Sequence, residues 1–554
     1  MGGILHRAVA LPVGRDEQRR RAGFHDPPQL VHEGHTLLAA QVFEEVRAAH
    51  FVHAVVGEGP GHDAQIVHEV GTDIGRDVDP EESLRLAAAA TQVELHGASQ
   101  KAQSLPAAAT CDSNAGSYAA LVPSCPRALV PSCPRALVPS CPRALVPSSE
   151  ALTHDLVIAG GGLVGLSLAL ALSGAGLRVA LVDRLPLDDT VRGPDERHLA
   201  LSESSCRILE SVGVLQALGA DAEPIRGIHA SSAGEFGAAR WSAADAGRPR
   251  FGVVVPARRL LAAMQRAVRA CGDIELRVPE SITQAWIDDD AIKARFEDAG
   301  ATPLRARLLV IADGADSALR TAAGIGAEYH DYGRHAICCS LRPEREHAGI
   351  GYERFTRAGP VALLPQAGGR CGAVWVVPAA DAARLLALAD HDYLAELQDA
   401  FGYRLGRLRT PGPRVGYPLR RVLAERLTAA RRVLVGNAAQ AVHPVGAQGL
   451  NLGLRDVAAL AERLRTAHAT GHDLGDEALL QGYAAARAAD RAATTGFSHA
   501  LAIGTTLESA PARLLRTFAL LMADRCEPLR EHLQLGGMGF RGASAAWVRA
   551  GAHA

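Results

Sequence analysis

The sequence predicts an α/β fold with a parallel sheet in the part of the chain after about residue 150, and three stretches predict it. They read HDLVIAGGGLVGLSLALALSGAG (154–176), LLVIADGADSALR (308–320) and VLVGNAAQAVHPVGAQGLNLGLRD (433–456). Each passes from a short apolar run into a turn with glycine, and then into a helical pattern. Strands that alternate with helices form β-α-β units, whose strands pair in parallel.

In the first stretch, an apolar strand ending at Ala159 meets Gly160-Gly161-Gly162-Leu163-Val164-Gly165. Gly160 permits the tight turn, Gly162 lets backbone approach a pyrophosphate, and Gly165 lets helix and strand pack closely. The helix that follows stops at Gly176 and presents the positive end of its dipole to the phosphates. LRVALVD is the second strand, and its terminal Asp183 lies 21 residues after Gly162, where an acid binds ribose hydroxyls. An acid there disfavours a 2′-phosphate, so the motif points to FAD or NAD rather than NADP. Gly537-Met538-Gly539-Phe540-Arg541-Gly542 fits the same glycine spacing. It follows a helical pattern rather than a strand, and it reads as a flexible tail.

The second stretch runs a buried-looking strand into Asp313-Gly314; read alone, an ordinary helix-capping Asp is the lesser alternative. The third enters a polar turn at Asn437, passes His443-Pro444, and carries Gly446, Gly449 and Gly453 around Asn451 before a helix. So much glycine ahead of a helix leaves amides free to meet a flat or anionic ligand. Three strand-end sites far apart in sequence suit one long dinucleotide better than a small anion.

The bulk numbers exclude other classes. A net charge of −2 leaves no basic excess for a nucleic-acid binder. No apolar run is long enough for a spanning helix, and the N-terminus lacks the core of a secretory signal. The ten cysteines show no C-x-x-C spacing, so they read as reduced thiols with no metal or disulfide framework. Cys338 and Cys339 sit side by side in a strand pattern and point to opposite faces, so they are not a redox pair.

Ahead of the folded part, ALVPSCPR repeats three times from Ala120, with two prolines per eight residues. That composition makes residues 118–150 an extended linker. Residues 1–117 show weak periodicity and read as a disordered extension, or as translated non-coding sequence ahead of the true start. Peptides from upstream of residue 118 in the native protein would contradict the second reading.

Together the three motifs resemble the FAD-dependent aromatic hydroxylases, the para-hydroxybenzoate hydroxylase-like group, over about residues 153–545. ERHLALSESSCRILESVGV (196–214), GYERFTRAGPVALLP (351–365) and FGYRLGRLRTPGPRVGYPL (401–419) look like the subfamily of ubiquinone biosynthesis. They look most like its members that act on 2-polyprenyl-6-methoxyphenol. The resemblance implies a Rossmann-like FAD-binding domain interleaved with a mixed β-sheet substrate domain within residues 151–465. The FAD parts fall at about 153–228, 305–330 and 415–465, the substrate sheet at about 229–304 and 331–414, and C-terminal helices at 466–554.

By position, the resemblance gives Gly160, Gly162, Gly165 and Asp183 the ADP half of FAD, and Asp313-Gly314 the second fingerprint. Arg197 takes the family's arginine position near the cofactor. Asn437 stands where many relatives carry an Asp, and it brings no charge. Pro444, Gly449, Leu450 and Asn451 pass beside the flavin ring. Ala447 departs from the usual Gly-Gln-Gly of this loop.

The implied reaction uses NAD(P)H and O₂ to hydroxylate a polyprenylated phenol. His443 is a candidate base for the phenol proton, or else a support for the loop ahead of Pro444. Tyr352 and Arg354 line the substrate sheet, or else lie on a solvated strand face. A sister hydroxylase acting at another ring position, a flavoprotein reductase and a non-catalytic FAD-bound scaffold remain as alternatives. The polyprenyl substrate and the FALLMA run (518–523) with its flanking arginines imply a cytoplasmic protein with peripheral contact at the inner membrane surface, or ordinary core packing of that helix. A quinone-synthesis assembly is the implied protein partner.

Overall fold

The computed structural model describes residues 152–187, 195–298 and 300–540. The expectations for residues 1–150, the extension and the repeat linker, lie outside the described residues.

The first β-α-β unit forms as expected. β1 (His154–Ala159) is buried along its whole length. α1 (Leu163–Leu172) is apolar all round, so it too is buried, under the sheet's face. β2 (Val179–Val182) pairs in parallel with β1. β3 (Ile274–Arg277), β4 (Leu304–Ile311) and β5 (Arg432–Leu434) complete a parallel core in the order β5-β4-β1-β2-β3. Its ladder matches Ile158 with Val310 and with Leu181, and Val310 with Val433. Near-continuous Val, Ile and Leu runs are what a parallel sheet covered on both faces requires.

Residues 274–296 correct the expected division of the chain. The resemblance puts them with the substrate sheet, but β3 extends the parallel sheet, and the hairpin Ile282–Asp288 with Ala291–Phe296 pairs onto β4. Conversely, Val415–Ala424, expected among the FAD parts, belongs to the second sheet. Alternation of apolar residues identifies a strand but not its partner, and these partners lie far away in sequence.

The second sheet is mixed. Its path runs Gln440–Ala441, Val415–Ala424, Ala327–Pro343, Arg370–Pro378, Val361–Gln366, Ile350–Phe355, Gly227–Ser232, Ala238–Ser242. Its pairs are antiparallel except Ile350–Phe355 with Gly227–Ser232. One face carries Ile337, Cys339, Leu363 and Trp375 against the helices Ala379–Ala387 and Asp390–Phe401. The other face carries Ala336, Cys338 and Val376. Cys338 and Cys339 therefore lie on opposite faces as the strand pattern predicted, and burial pushes their thiols up to about 12 and about 11.

The C-terminal part is helical: α2 (Gln448–Ala469), α3 (Glu477–Gly504), α4 (Ala510–Arg525) and α5 (Glu527–Gly537). The second glycine motif is not a free tail over its described residues. Met538 is buried, its carbonyl accepts from the Ser204 amide at 3.0 Å, and the Arg207 guanidinium lies over the Phe540 ring. Tertiary contacts fix a segment whose local pattern carries no signal for them.

Candidate functional site

The C-terminal ends of β1, β2, β4 and β5 lie side by side. The Gly160 amide donates to Val182 O at 2.8 Å, the Ala312 amide to Ala159 O at 2.8 Å, and the Val435 amide to Ile311 O at 3.1 Å. In open α/β sheets, ligands bind outside these strand ends.

The glycines of the first motif differ in what forces them. Gly160 has φ +120°, and a Cβ there would lie 2.3 Å from Ala312 O. A Cβ on Gly165 would lie 1.9 Å from Gly160 O, so α1 presses directly on the turn. Gly162, at the N-terminus of α1, is exposed, and a Cβ there would meet nothing within 4 Å. The first two serve packing, and the third fronts open space at the positive end of a helix dipole. Asp183 accepts from the Gly161 amide at 2.5 Å and from the Leu185 amide at 2.8 Å, which holds its carboxylate beside the turn.

Two contacts that the sequence reading passed over bring the motifs together. Val164 fills the space left by two glycines of the third motif: a Cβ on Gly436 or on Gly453 would lie 2.9 Å from its Cγ2. Arg320 is buried and clamps the second motif to the third. Its Nη1 donates to Ala315 O at 2.9 Å and to Ala438 O at 3.0 Å. Asp313 and Asn437 are exposed on the turns that this clamp joins, and Gly314 (φ +104°) likewise fronts open space.

In the third motif, Pro444 opens a tight turn over Val445–Ala447, with Gly446 at φ +70°. Ala447 caps α2 in the left-handed region, φ 52° and ψ 36°. A Cβ disfavours that conformation by about 1–2 kcal/mol. Ala447→Gly is therefore expected to raise stability by up to about 1 kcal/mol once glycine's extra chain entropy is counted. Chemical denaturation of the two proteins checks it; a loss of stability would show that the methyl group packs usefully.

Gly449 and Leu450 occupy the first turn of α2, with Leu450 packed on the main core. The Asn451 side chain works within the protein. Its Oδ1 accepts from the Ser202 amide at 2.9 Å, and its Nδ2 donates to Ala200 O at 2.9 Å and Ala447 O at 2.7 Å. It ties the loop to the strand His198–Ser202.

His443 is buried, and its Nδ1 accepts from the Val445 amide at 3.2 Å. The Tyr332 ring meets it edge-on at 4.9 Å. Burial, helped by Arg334 and His499, holds the imidazole down at about 4. A neutral ring committed to its own loop supports that loop and is a weak base at neutral pH. Arg197 makes a two-point pair with Asp195, at 2.8 and 2.7 Å, and stacks 5.5 Å over the Tyr417 ring. Burial alone would raise the Asp195 carboxyl, but the Arg197 hydrogen bonds and charge outweigh it and hold Asp195 low. Tyr352 is buried with Phe401 under the Asp390–Phe401 helix, on the face away from Cys338, so it is not on a solvated face.

This arrangement fits FAD. Open glycine backbone at Gly162 and Gly314 and exposed Asp313 and Asn437 lie on turns at the joined strand ends, and the Pro444–Gly446 turn follows in the third motif.

Comparison with known proteins agrees. The FAD binding domain family matches residues 153–498. The chain is 37% identical to ubiquinone hydroxylase UbiL of Rhodospirillum rubrum, over 70% of this chain and 89% of that one. It is 31% identical to 3-demethoxyubiquinol 3-hydroxylase of Escherichia coli, over 68% and 96%. The fold resembles that of p-nitrophenol 4-monooxygenase PnpA from Pseudomonas putida DLL-E4, with TM-score 0.57 and 18% identity over 69% of this chain and 98% of that one. The chain thus belongs to the FAD binding domain family, among the ubiquinone-hydroxylase-type members, and is an FAD-dependent aromatic-ring monooxygenase.

Proposed function

We propose that the protein hydroxylates the ring of a polyprenylated phenol, 2-polyprenyl-6-methoxyphenol, in ubiquinone biosynthesis. The observation that carries the proposal is the meeting of three motifs at the strand ends, beside a mixed sheet whose face towards Val445 is apolar. Bound FAD, reduced by NAD(P)H, supplies the activation of O₂. The protein supplies binding, orientation and exclusion of water. In this reading Gly160, Gly162, Gly165 and Asp183 hold the adenosine diphosphate half. Asp313, Gly314 and Asn437 hold the pyrophosphate and ribityl chain, and Pro444, Gly449 and Leu450 flank the ring. His443, Asn451 and Arg197 set the shape of the loops around it.

The name of the Escherichia coli relative supports a second reading, a sister hydroxylase acting at another ring position. Deleting the gene and identifying the accumulated quinone precursor separates the two. A 2-polyprenyl-6-methoxyphenol supports the first; an earlier or later phenol moves the enzyme to the sister step. A reductase or a non-catalytic scaffold would show no phenol-dependent uptake of O₂.

A long prenyl tail needs an apolar route. No described helix is long and apolar enough to cross a membrane. Leu514 and Phe518 stand exposed one turn apart on α4, while Leu520 and Ala523 are buried. Phe236 is exposed on the adjoining turn, where Gly237 packs on Thr517 and Leu521. This apolar patch supports peripheral contact with a lipid surface, or with a lipid-bearing partner of a quinone-synthesis assembly.

A further inference from the structure

One row of residues crosses the mixed sheet on the face that meets the Val445 loop. The register places Ala239 opposite Ala230, Ala230 opposite Glu353, and Glu353 opposite Ala362. It continues through Val374 to Cys338. Every member of this row is small and apolar except Glu353. Two positions along its strand, on the same face, Phe355 packs in one cluster with Val445, Ala502 of α3 and Leu520 of α4. Cys338 and Val374 belong to a second apolar cluster, and Tyr332 borders both. Glu353 is thus a single carboxyl between two apolar clusters, on the same face as Phe355, which meets Val445 and α3.

Among the described residues it has neither a hydrogen-bond nor an ionic partner, and burial alone pushes its carboxyl up to about 7. Glu353 is half-buried, and a partnerless acid among apolar neighbours, open at one side, is where chemistry concentrates. We propose that Glu353 accepts the phenol proton of the substrate. The inference rests on the hydroxylase reading above. The Glu353 carboxylate takes the proton of the ring O–H, and the bonding pair stays on the ring oxygen. The resulting phenolate is richer in electrons at the carbon to be hydroxylated, and the proton returns to that oxygen when the hydroquinone forms.

Other titratable groups also lie at this face, among them His330, whose ring meets Tyr332 and His499. Burial raises Tyr332 and Cys338 on the strand Ala327–Pro343, three strands along the sheet, and Tyr417 on the strand beyond it, each to about 12. It holds His443 of the loop at about 4 and lowers His499 of α3. Charges nearby are paired: Asp195 with Arg197 ahead of the His198–Ser202 strand, and Glu235 with Arg516 of α4. Of the groups that burial shifts here, Glu353 is the one moved towards neutrality.

The test uses the FAD-loaded enzyme and a short-tailed 2-prenylphenol. In the wild type, turnover is expected to fall as the pH drops below about 7, and the bound phenol is expected to show phenolate absorbance above that pH. Glu353→Gln, which is close in shape and uncharged, is expected to keep its flavin and its KM within a few-fold. Its kcat is expected to fall about 100-fold or more, with loss of the acid limb and of the phenolate band. Glu353→Asp should recover part of each. A Gln variant with wild-type kcat and an unchanged acid limb would overturn the proposal, as would a bound phenol that stays protonated in the wild type above pH 7. A wild-type enzyme that gives no phenol-dependent NAD(P)H oxidation sinks the hydroxylase reading itself, and this inference with it.

Discussion

Asp456→Ala is expected to destabilise the fold by about 3–5 kcal/mol, because it leaves buried charges without their partner. Asp456 is 1% exposed and ends the glycine-rich stretch on α2. Its Oδ1 accepts from Arg487 Nε at 2.7 Å, and its Oδ2 from Gln440 Nε2 at 2.5 Å. Arg487 also donates to Asp490 at 2.6 Å, and Asp490 accepts from Arg455 Nε at 2.7 Å. Gln440 in turn accepts from Arg491 Nε at 3.0 Å, and Arg491 reaches the carbonyls of Ala424 and Ala439. The network therefore joins α2 and α3 to the backbone just after the Gly436–Ala438 turn. Removing its centre should release flavin as well as lower the denaturation midpoint. Asp456→Asn, which keeps one acceptor and the shape, should cost less. A loss below about 1 kcal/mol for the alanine variant would mean that water or relaxation replaces the carboxylate, as at a surface pair.

The second large effect is expected from Gly165→Ala. Its methyl group would sit 1.9 Å from the Gly160 carbonyl oxygen, which is backbone and has no rotamer to change. α1 must move off the turn, at a cost of about 1–3 kcal/mol for overpacking, and the cradle for the pyrophosphate moves with it. FAD affinity should fall tenfold or more. Gly162→Ala is the matched control, since its methyl meets no described atom within 4 Å. That variant should unfold at the wild-type midpoint and yet retain less FAD. Thermal unfolding and flavin content after gel filtration read both quantities. Equal stability and equal flavin retention in both variants would show that the turn is not a cofactor cradle.

These effects also mark how far the chain explains itself. The turn at Gly160–Gly165 was legible because its causes are local: a strand, a turn that requires φ above zero, and a helix pressed against it. Asp313 and Asn437 were legible for the same reason, each lying at the end of an apolar run. The parts that unite them were not. Val164 reads as one apolar helix residue until Gly436 and Gly453 are brought against it, and Arg320 reads as a surface cation until Ala438 O appears beside it. Arg487 and Asp490 lie in an alanine-rich helix, and only its packing on α2 makes them a core network. The same limit hid Glu353. A lone acid in a strand looks like a solvated face, and which face is covered depends on α3, α4 and the Val445 loop. His443 was legible as a loop residue, but its burial, which holds the ring neutral, was not.

One measurement tests the reaction most directly: NAD(P)H and O₂ consumption by the purified, flavin-containing protein with and without a 2-prenyl-6-methoxyphenol, with the product identified. The predicted result is consumption that depends on the phenol, in equal amounts of NAD(P)H, O₂ and ring-hydroxylated hydroquinone. Consumption that ignores the phenol, or reduction of a quinone without oxygen entering the ring, would contradict it.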